Sequence, residues 1–437
     1  MPGGPNVLLD SKAHRADFGR VSAPKGPHRV LGAGWGREQG GRAGGAAPPW
    51  DHRERRWGVS ARRVLVTGGA GFVGSHLVDA LLARGDRVRI FDNLDPQVHP
   101  EGHRPHWVPS DAEFVQGDMR HAGQVLASLA DIDVVYHLAA AVGVGQSMYQ
   151  IADYTAVNTM GTAHLLQALV DDRNGPRKLR VGKLVVASSM SIYGEGRYGR
   201  PDGAEPRNTL RPAAQLRAQE WEPRDVDGTV LRPLPTDEGK PLDPTSIYAL
   251  TKADQEKMVL QIGAAYGIPS VALRFFNIYG PRQALSNPYT GVAAIFSARL
   301  LNGQPPLIFE DGEQMRDFVS VHDIVQALLL ASDEEAAAGK AFNVGSGRGV
   351  SVREVAETLA RVLGSDIEAQ VTGKYRVGDI RHCFSDISLA REVLGYEPRV
   401  TFEQGMEELV AWLQEQDRPQ DGVEAHAAEL AARGLTL

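Results

Sequence analysis

The chain has 437 residues, 42% hydrophobic and 23% charged, an ordinary globular composition with length for one large domain or two modest ones. A net charge of −7 argues against a nucleic-acid partner, and a single cysteine, Cys383, excludes a disulfide framework and fits a reducing compartment, the cytoplasm. No apolar run reaches the ~18–20 residues of a membrane span, so no membrane partner is expected.

The first 63 residues hold 12 Lys/Arg against 5 Asp/Glu, and 18 of them are Gly or Pro. That bias predicts an unstructured tail over residues 1–60. From there "RRVLVTGGAGFVGSHLVDALLARGDRVRIFD" alternates strand, turn, helix and strand. Val64–Thr67 reads as a strand. Phe72, Leu77, Leu81 and Leu82 fall at helical spacing, Gly85 is a stop, and Val88–Phe91 is the next strand. Further strands are expected at 113–116, 133–138, 183–187, 270–275 and 341–344, with helices at 154–171 and 246–266 between them. Such alternation predicts an α/β fold with a parallel sheet covered on both faces. Residues 195–240 lack periodicity and read as a long surface insertion. Residues 282–320 and 350–415 read as smaller elements outside the main sheet.

Gly69-Ala-Gly71-Phe-Val-Gly74 matches G-x-G-x-x-G, and Gly68 fits a tighter spacing. It follows a strand, opens a helix, and is followed 18 residues past Gly74 by Asp92, at the end of the second strand. This is the context a dinucleotide site needs. The glycines allow a tight turn and close approach of backbone to pyrophosphate, which the helix N-terminus attracts. Asp92 would bond the adenosine ribose hydroxyls and repel a 2′-phosphate, so NAD is expected over NADP. Asp118 follows the third strand, where an adenine contact or a simple cap is expected.

Tyr248 and Lys252 stand at i and i+4 on one helix face. A phenol has pKa about 10, and a nearby ammonium lowers it toward working pH, which makes a general base. His99, His103 and His106 cluster in one loop without ligand spacing, so no metal is expected.

The segments "TGGAGFVGSHL", "FDNL", "HLAA", "VNTMGTAHLL", "SSMSIYG", "YALTK", "RFFNIYGPRQ", "RDFVSVHDI" and "GDIRHCFSD" span about residues 62–400. In that order they resemble the extended short-chain dehydrogenase/reductase family. The resemblance implies a Rossmann-type doubly wound parallel sheet over 61–281. A smaller C-terminal α/β substrate domain, mainly 282–437, would follow, with 317–345 returning to the first domain. It implies Ser189, Tyr248 and Lys252 as the catalytic set. For NAD it implies Gly68, Gly71, Phe72, Val73, Gly74, Asp92, Asn93, Asp118, Met119, Leu138, Ala139, Ala140, Asn158, Ser188, Tyr248 and Lys252. Within that set, Asn158 would orient the lysine's helix or contact it through water. A nucleotide-diphosphate sugar would meet Ser189, Ser191, Tyr248, Asn277, Arg316, Arg376 and Asp379. The helices near 154–171 and 246–266 would pair with their copies in a homodimer.

Dehydratases of the family place Asp-Glu directly after the catalytic Ser/Thr, and decarboxylating relatives place Glu two residues after it. Here those positions are Met190 and Ser191, neither an acid near pH 7. This leaves oxidation and re-reduction, hence a nucleotide-sugar 4-epimerase. "AAVGVGQSMYQ" and the insertion resemble the dTDP-L-rhamnose 4-epimerase branch more than the UDP-glucose 4-epimerases. That branch often carries cysteines in its insertion; this chain has none there. The other readings are a 2-epimerase, dehydrogenase or dehydratase on another nucleotide sugar, and a non-catalytic NAD-binding module. Binding modules of that kind typically lose the Tyr-Lys pair.

Overall fold

The computed structural model describes residues 61–171, 179–283, 291–375, 379–416 and 432–433, all within one compact unit, Trp57–Leu437. The tail expected over 1–60 lies outside the described residues.

Seven parallel strands form the central sheet: β1 (Arg63–Thr67), β2 (Arg87–Asp92), β3 (Glu113–Gln116), β4 (Val134–His137), β5 (Lys183–Ser189), β6 (Ser270–Phe275) and β7 (Ala341–Val344). Their order in space is β7-β6-β5-β4-β1-β2-β3. Val64 faces Val88 on one side and Val134 on the other. Strands β4, β5 and β6 are buried along their whole length, as strands covered on both faces must be. The order reverses beside β1, so a crevice opens at the strands' C-terminal ends between β1 and β4. Open α/β sheets bind ligands at such a switch point.

One face of the sheet packs Val64 and Val66 against Leu77 and Leu81 of α1 (Phe72–Ala83) and against Ile324 and Leu328 of the helix Val321–Asp333. The other packs Leu65, Val135 and Leu184 against Leu165 and Leu169 of α2 (Gly161–Asp171) and Val259 of α3 (Ile247–Tyr266). Each such leucine, fully buried, contributes roughly 1.5–3 kcal/mol. A third cluster joins Phe296, Leu359, Phe402 and Leu409, on helices Val292–Leu301, Val352–Leu363 and Phe402–Gln414.

Two expectations change here. The helix read at 154–171 begins earlier, at Ile151–Tyr154, and passes through a π-helical turn at Thr155–Met160 before α2. A π turn holds an extra residue that apolar spacing cannot register, and such turns gather at functional sites. The insertion 195–240 is not simply a surface loop. Arg197–Gly199 pairs antiparallel with Arg232–Leu234, and a short helix spans Ala213–Arg217. Glu195, Tyr198, Asp225, Leu231 and Thr236 are buried. Some of their partners lie within the insertion, as Arg200 does for Asp225, while Glu195 meets Arg381, far away in sequence, of which local pattern carried no sign.

α3 starts where Ser246 accepts a bond from Ala249 N–H (3.1 Å) and stops at Gly267, whose φ of 63° suits glycine. No described helix is long and apolar enough to cross a membrane.

Candidate active site

A cavity of about 960 Å³ runs over the C-terminal ends of the sheet, from Asp92 and Asp118 to Ser189 and Tyr248 and on to Arg316 and Asp379. Its floor is the glycine turn between β1 and α1. A Cβ on Gly68 would lie 2.8 Å from Ala139 N, and one on Gly74 would lie 2.1 Å from Gly68 O. Backbone segments therefore pack against one another here so closely that only glycine fits. The residue before α1 is Gly71, which offers no side chain to cap the helix, so its first N–H groups are left for a ligand. Asp92 ends β2, lines the same cavity, and holds the turn through Ala70 N–H (3.0 Å) and Leu94 N–H (2.9 Å). Asp118 is bound by Arg120 (2.6 Å) and by Asn93 (3.4 Å); chiefly the Arg120 bond lowers its carboxyl to about 2. These are residues that would hold a dinucleotide: the glycine turn and helix N-terminus suit its phosphates, and the Asp92 carboxylate suits ribose hydroxyls.

β5 runs two residues beyond the expected 187, so Ser189 is its last residue. Ser189 Oγ caps the following turn by accepting from Ser191 N–H (3.2 Å) and shares a hydrogen bond with Ser191 Oγ (2.8 Å). Tyr248 and Ser189 line the same cavity, and the Ser189 hydroxyl is near enough to act on the Tyr248 phenol. Its ring meets that of Tyr154 edge-on, with centroids 6.4 Å apart. Burial pushes the Tyr248 hydroxyl above the usual phenol value, and the Ser189 hydroxyl pulls the other way. Burial also lowers Lys252 to about 7, against the opposing charge of Glu256. Lys252 Nζ donates to Gln255 Oε1 (2.8 Å). The sequence argument had the lysine lower the tyrosine; in the chain by itself, burial outweighs that effect at both groups.

Asn158, on the π turn, is fully buried behind the cavity wall. Its Nδ2 donates to Thr251 Oγ1 (3.0 Å), one residue before Lys252, and to Ala141 O (3.0 Å). It thus ties the lysine's helix to the chain after β4. The other residues nominated for NAD line the cavity. Ser188 turns its hydroxyl to Glu256 (2.7 Å), which Arg274 neutralises (2.6 Å). Of the residues nominated for the sugar nucleotide, Ser189, Ser191, Tyr248, Asn277, Arg316 and Asp379 line the cavity; Arg376 lies outside the described residues. The guanidinium of Arg316 bonds the carbonyls of Met315 and Arg381, both at 2.9 Å, and Asn277 Oδ1 is buried without a partner.

Sequence reasoning missed Thr251, Gln255 and Thr162, which have no motif of their own. Gln255 Nε2 donates to Thr162 Oγ1 (2.8 Å), and His137 bridges Thr162 Oγ1 (2.9 Å) and Thr67 Oγ1 (2.8 Å). Burial lowers His137 to about 3 from 6.5, so it stays neutral. Between those values the unfolded chain binds a proton that the folded chain refuses. Stability therefore falls as pH drops from about 6.5 toward 3. His137→Asn should remove about 2–3 kcal/mol of the stability lost between pH 7 and pH 4.5. Urea unfolding at both pH values checks this; equal losses in the two proteins would refute it.

Two family models match the chain: the NAD dependent epimerase/dehydratase family over residues 64–217, and GDP-mannose 4,6 dehydratase over 226–409. The chain is 37% identical to the dTDP-L-rhamnose 4-epimerase of Burkholderia thailandensis, covering 82% of this chain and 97% of that one. It is 30% identical to a UDP-N-acetyl-alpha-D-glucosaminuronate decarboxylase of Bacillus cytotoxicus, covering 81% and 98%. The structure of the Thermotoga maritima UDP-glucose 4-epimerase with UDP-glucose superposes with a TM-score of 0.66 at 31% identity, covering 81% of this chain and 99% of that one. With the glycine cradle, the Asp92 wall and these likenesses together, the chain belongs to the NAD-dependent epimerase/dehydratase family, within the extended short-chain dehydrogenases/reductases, and its cofactor is NAD.

Proposed function

We propose that the protein is a nucleotide-sugar 4-epimerase that works through a transient 4-keto sugar on a dTDP-L-rhamnose or UDP-glucose type of substrate. One observation carries this reading. Ser189 and Tyr248 line the cavity, and the two residues after Ser189, which line it too, are Met190 and Ser191. Neither can act as the acid that an elimination needs.

Tyr248 Oη takes the proton of the sugar's C4 hydroxyl, and Ser189 Oγ holds that oxygen in line. Lys252, when charged, stabilises the phenolate that receives the proton. NAD, when bound, supplies the acceptor for the hydride leaving C4 and gives it back. The ketone turns about its diphosphate linkage and presents its other face. Tyr248 then returns the proton to the oxygen, so every atom is recovered and only the C4 configuration has changed.

The test is a panel of dTDP- and UDP-sugars followed by NMR without added NAD. The 4-epimer should accumulate to an equilibrium ratio. Accumulation of a dehydrated or decarboxylated sugar, or stoichiometric consumption of added NAD, would contradict the reading.

A homodimer is part of the same proposal. Ile151 and Met160 on the helix ahead of α2, and Leu250 on α3, are about half exposed, and paired copies of these helices would cover them. Sedimentation at one chain's mass would count against it.

A further inference from the structure

Residues 195–240 leave the catalytic turn at Gly194 and return to the chain just before α3. They are built around charge. Arg200 joins two distant turns by pairing with Asp202 (3.1 Å), Asp225 (2.5 Å) and Asp227 (3.0 Å). Arg211 and Glu195 reach out of the insertion to the far end of the cavity. The Arg211 side chain is 3% exposed and forks: Nη1 to Glu310 Oε1 (2.7 Å), Nη2 to the carbonyl of Asp379 (2.8 Å). Glu195, directly after the catalytic turn, accepts Arg381 N–H on both oxygens (2.9 and 3.0 Å). Its Oε1 lies 3.5 Å from Arg211 Nε. Arg381 has the largest fully buried side chain, shared among Glu222, Glu310 and Asp311 at 2.6–2.9 Å.

Asp379 and Ile380 line the cavity, and the backbone of 379–381 is held both by Arg316, which lines the cavity, and by the insertion. The carbonyl of Asp379 takes Arg211, the carbonyl of Arg381 takes Arg316 (2.9 Å), and the N–H of Arg381 gives to Glu195. Gly196 N–H adds a bond to His382 O (2.8 Å). The same three-residue stretch, Gly194–Gly196, leaves the turn that carries Ser189. The insertion is thus a fixed strut between the reacting end of the cavity and its far wall.

We infer that Arg211 and Glu195 are positioning residues for the nucleotide diphosphate of the substrate, acting by fixing the backbone of Asp379–Arg381 at a set distance from Ser189 and Tyr248. This rests on the nucleotide-sugar reading above. Buried charges are costly unless fully paired, and this set is paired across the cavity wall, which makes the wall stiff. A stiff wall matters for binding and leaves the proton at Tyr248 untouched. The effect of loosening it therefore falls on KM rather than on kcat.

Arg211→Lys keeps the charge, but one ammonium cannot serve Glu310 and the Asp379 carbonyl in the arginine's forked geometry. In the full-length holoenzyme it should raise KM for the nucleotide sugar about tenfold and weaken binding of UDP or dTDP alone, measured calorimetrically, by a similar factor. kcat and bound NAD should stay close to wild type, while Tm falls by a few degrees because a buried group loses a partner. Glu195→Gln, which keeps the shape and one acceptor oxygen, should move the same quantities less far. Unchanged KM and diphosphate affinity in both variants would overturn the inference. So would kcat and NAD content worsening together with KM in both, since that marks a merely structural role. Wild-type protein that binds neither UDP nor dTDP would instead sink the nucleotide-sugar reading, and this inference with it.

Discussion

Tyr248→Phe is expected to lower kcat by about three orders of magnitude while bound NAD stays near the wild-type level. The substitution removes only the hydroxyl that exchanges a proton with the substrate. The ring remains, and with it the edge-on contact to Tyr154 that seats it in the wall. Ser189 keeps its bonds to Ser191. Nothing in the glycine cradle or at Asp92 changes, so the cofactor is held as before. The loss falls on kcat because the hydroxyl acts only in the proton transfer. Among the described residues the other hydroxyl in contact with Ser189 is that of Ser191, an alcohol that does not ionise near neutral pH, while Lys252 is turned to Gln255 and burial keeps His137 neutral. NAD released on denaturation, measured beside the rate, separates the two outcomes. Activity within tenfold of wild type, or loss of NAD in step with activity, would remove Tyr248 from its assigned role.

The second large effect is expected at Gly74→Ala, at the start of α1. Its Cβ would fall 2.1 Å from Gly68 O and 2.7 Å from Gly69 Cα. Both neighbours are backbone, so no flexible side chain can yield. Either the helix withdraws from β1 or the glycine turn opens. Overpacking of this kind costs about 1–3 kcal/mol or more. The shift also moves the N–H groups away from the pyrophosphate. Losing two charge-assisted bonds there should weaken NAD about a hundredfold. Protein purified with little bound NAD, a lowered Tm and partial rescue by excess NAD are the expected signs. A variant that retains its NAD and its Tm would show that the helix does not approach the turn as closely as it does here.

Much of this was legible in the sequence, for reasons that differ between elements. The strands at 270–275 and 341–344 lie at the expected residues because a strand buried on both faces must be a short apolar run, and the half-exposed edge strand at 113–116 lies at its expected residues as well. α3 lies within one residue of its expected bounds, 246–266, and the structure shows Ser246 and Gly267 capping it. The glycine turn was legible because close backbone approach allows only one residue type. The π turn was not. An inserted residue shifts the helical phase without changing composition, and it is this turn that aims Asn158 at Thr251. The charge state of Tyr248 and Lys252 was not legible either. Spacing along a helix brings two groups together but says nothing of how much water the fold leaves around them.

By itself, the sequence determined the parallel sheet and the dinucleotide turn, each written in residues near one another in the chain. The proposed set of Ser189, Tyr248 and Lys252, and the want of an acid at Met190 and Ser191, came from the likeness to a family. Only the tertiary structure decided what residues 195–240 are. Glu195 meets Arg381, and Arg211 meets Glu310 and Asp379, across gaps of 99 to 186 residues. An isolated arginine or glutamate in a polar stretch reads as solvated surface, because periodicity carries no information about a charge's partner. Folding places these charges together out of water, where they must pair, and so turns a featureless insertion into the strut behind the cavity wall.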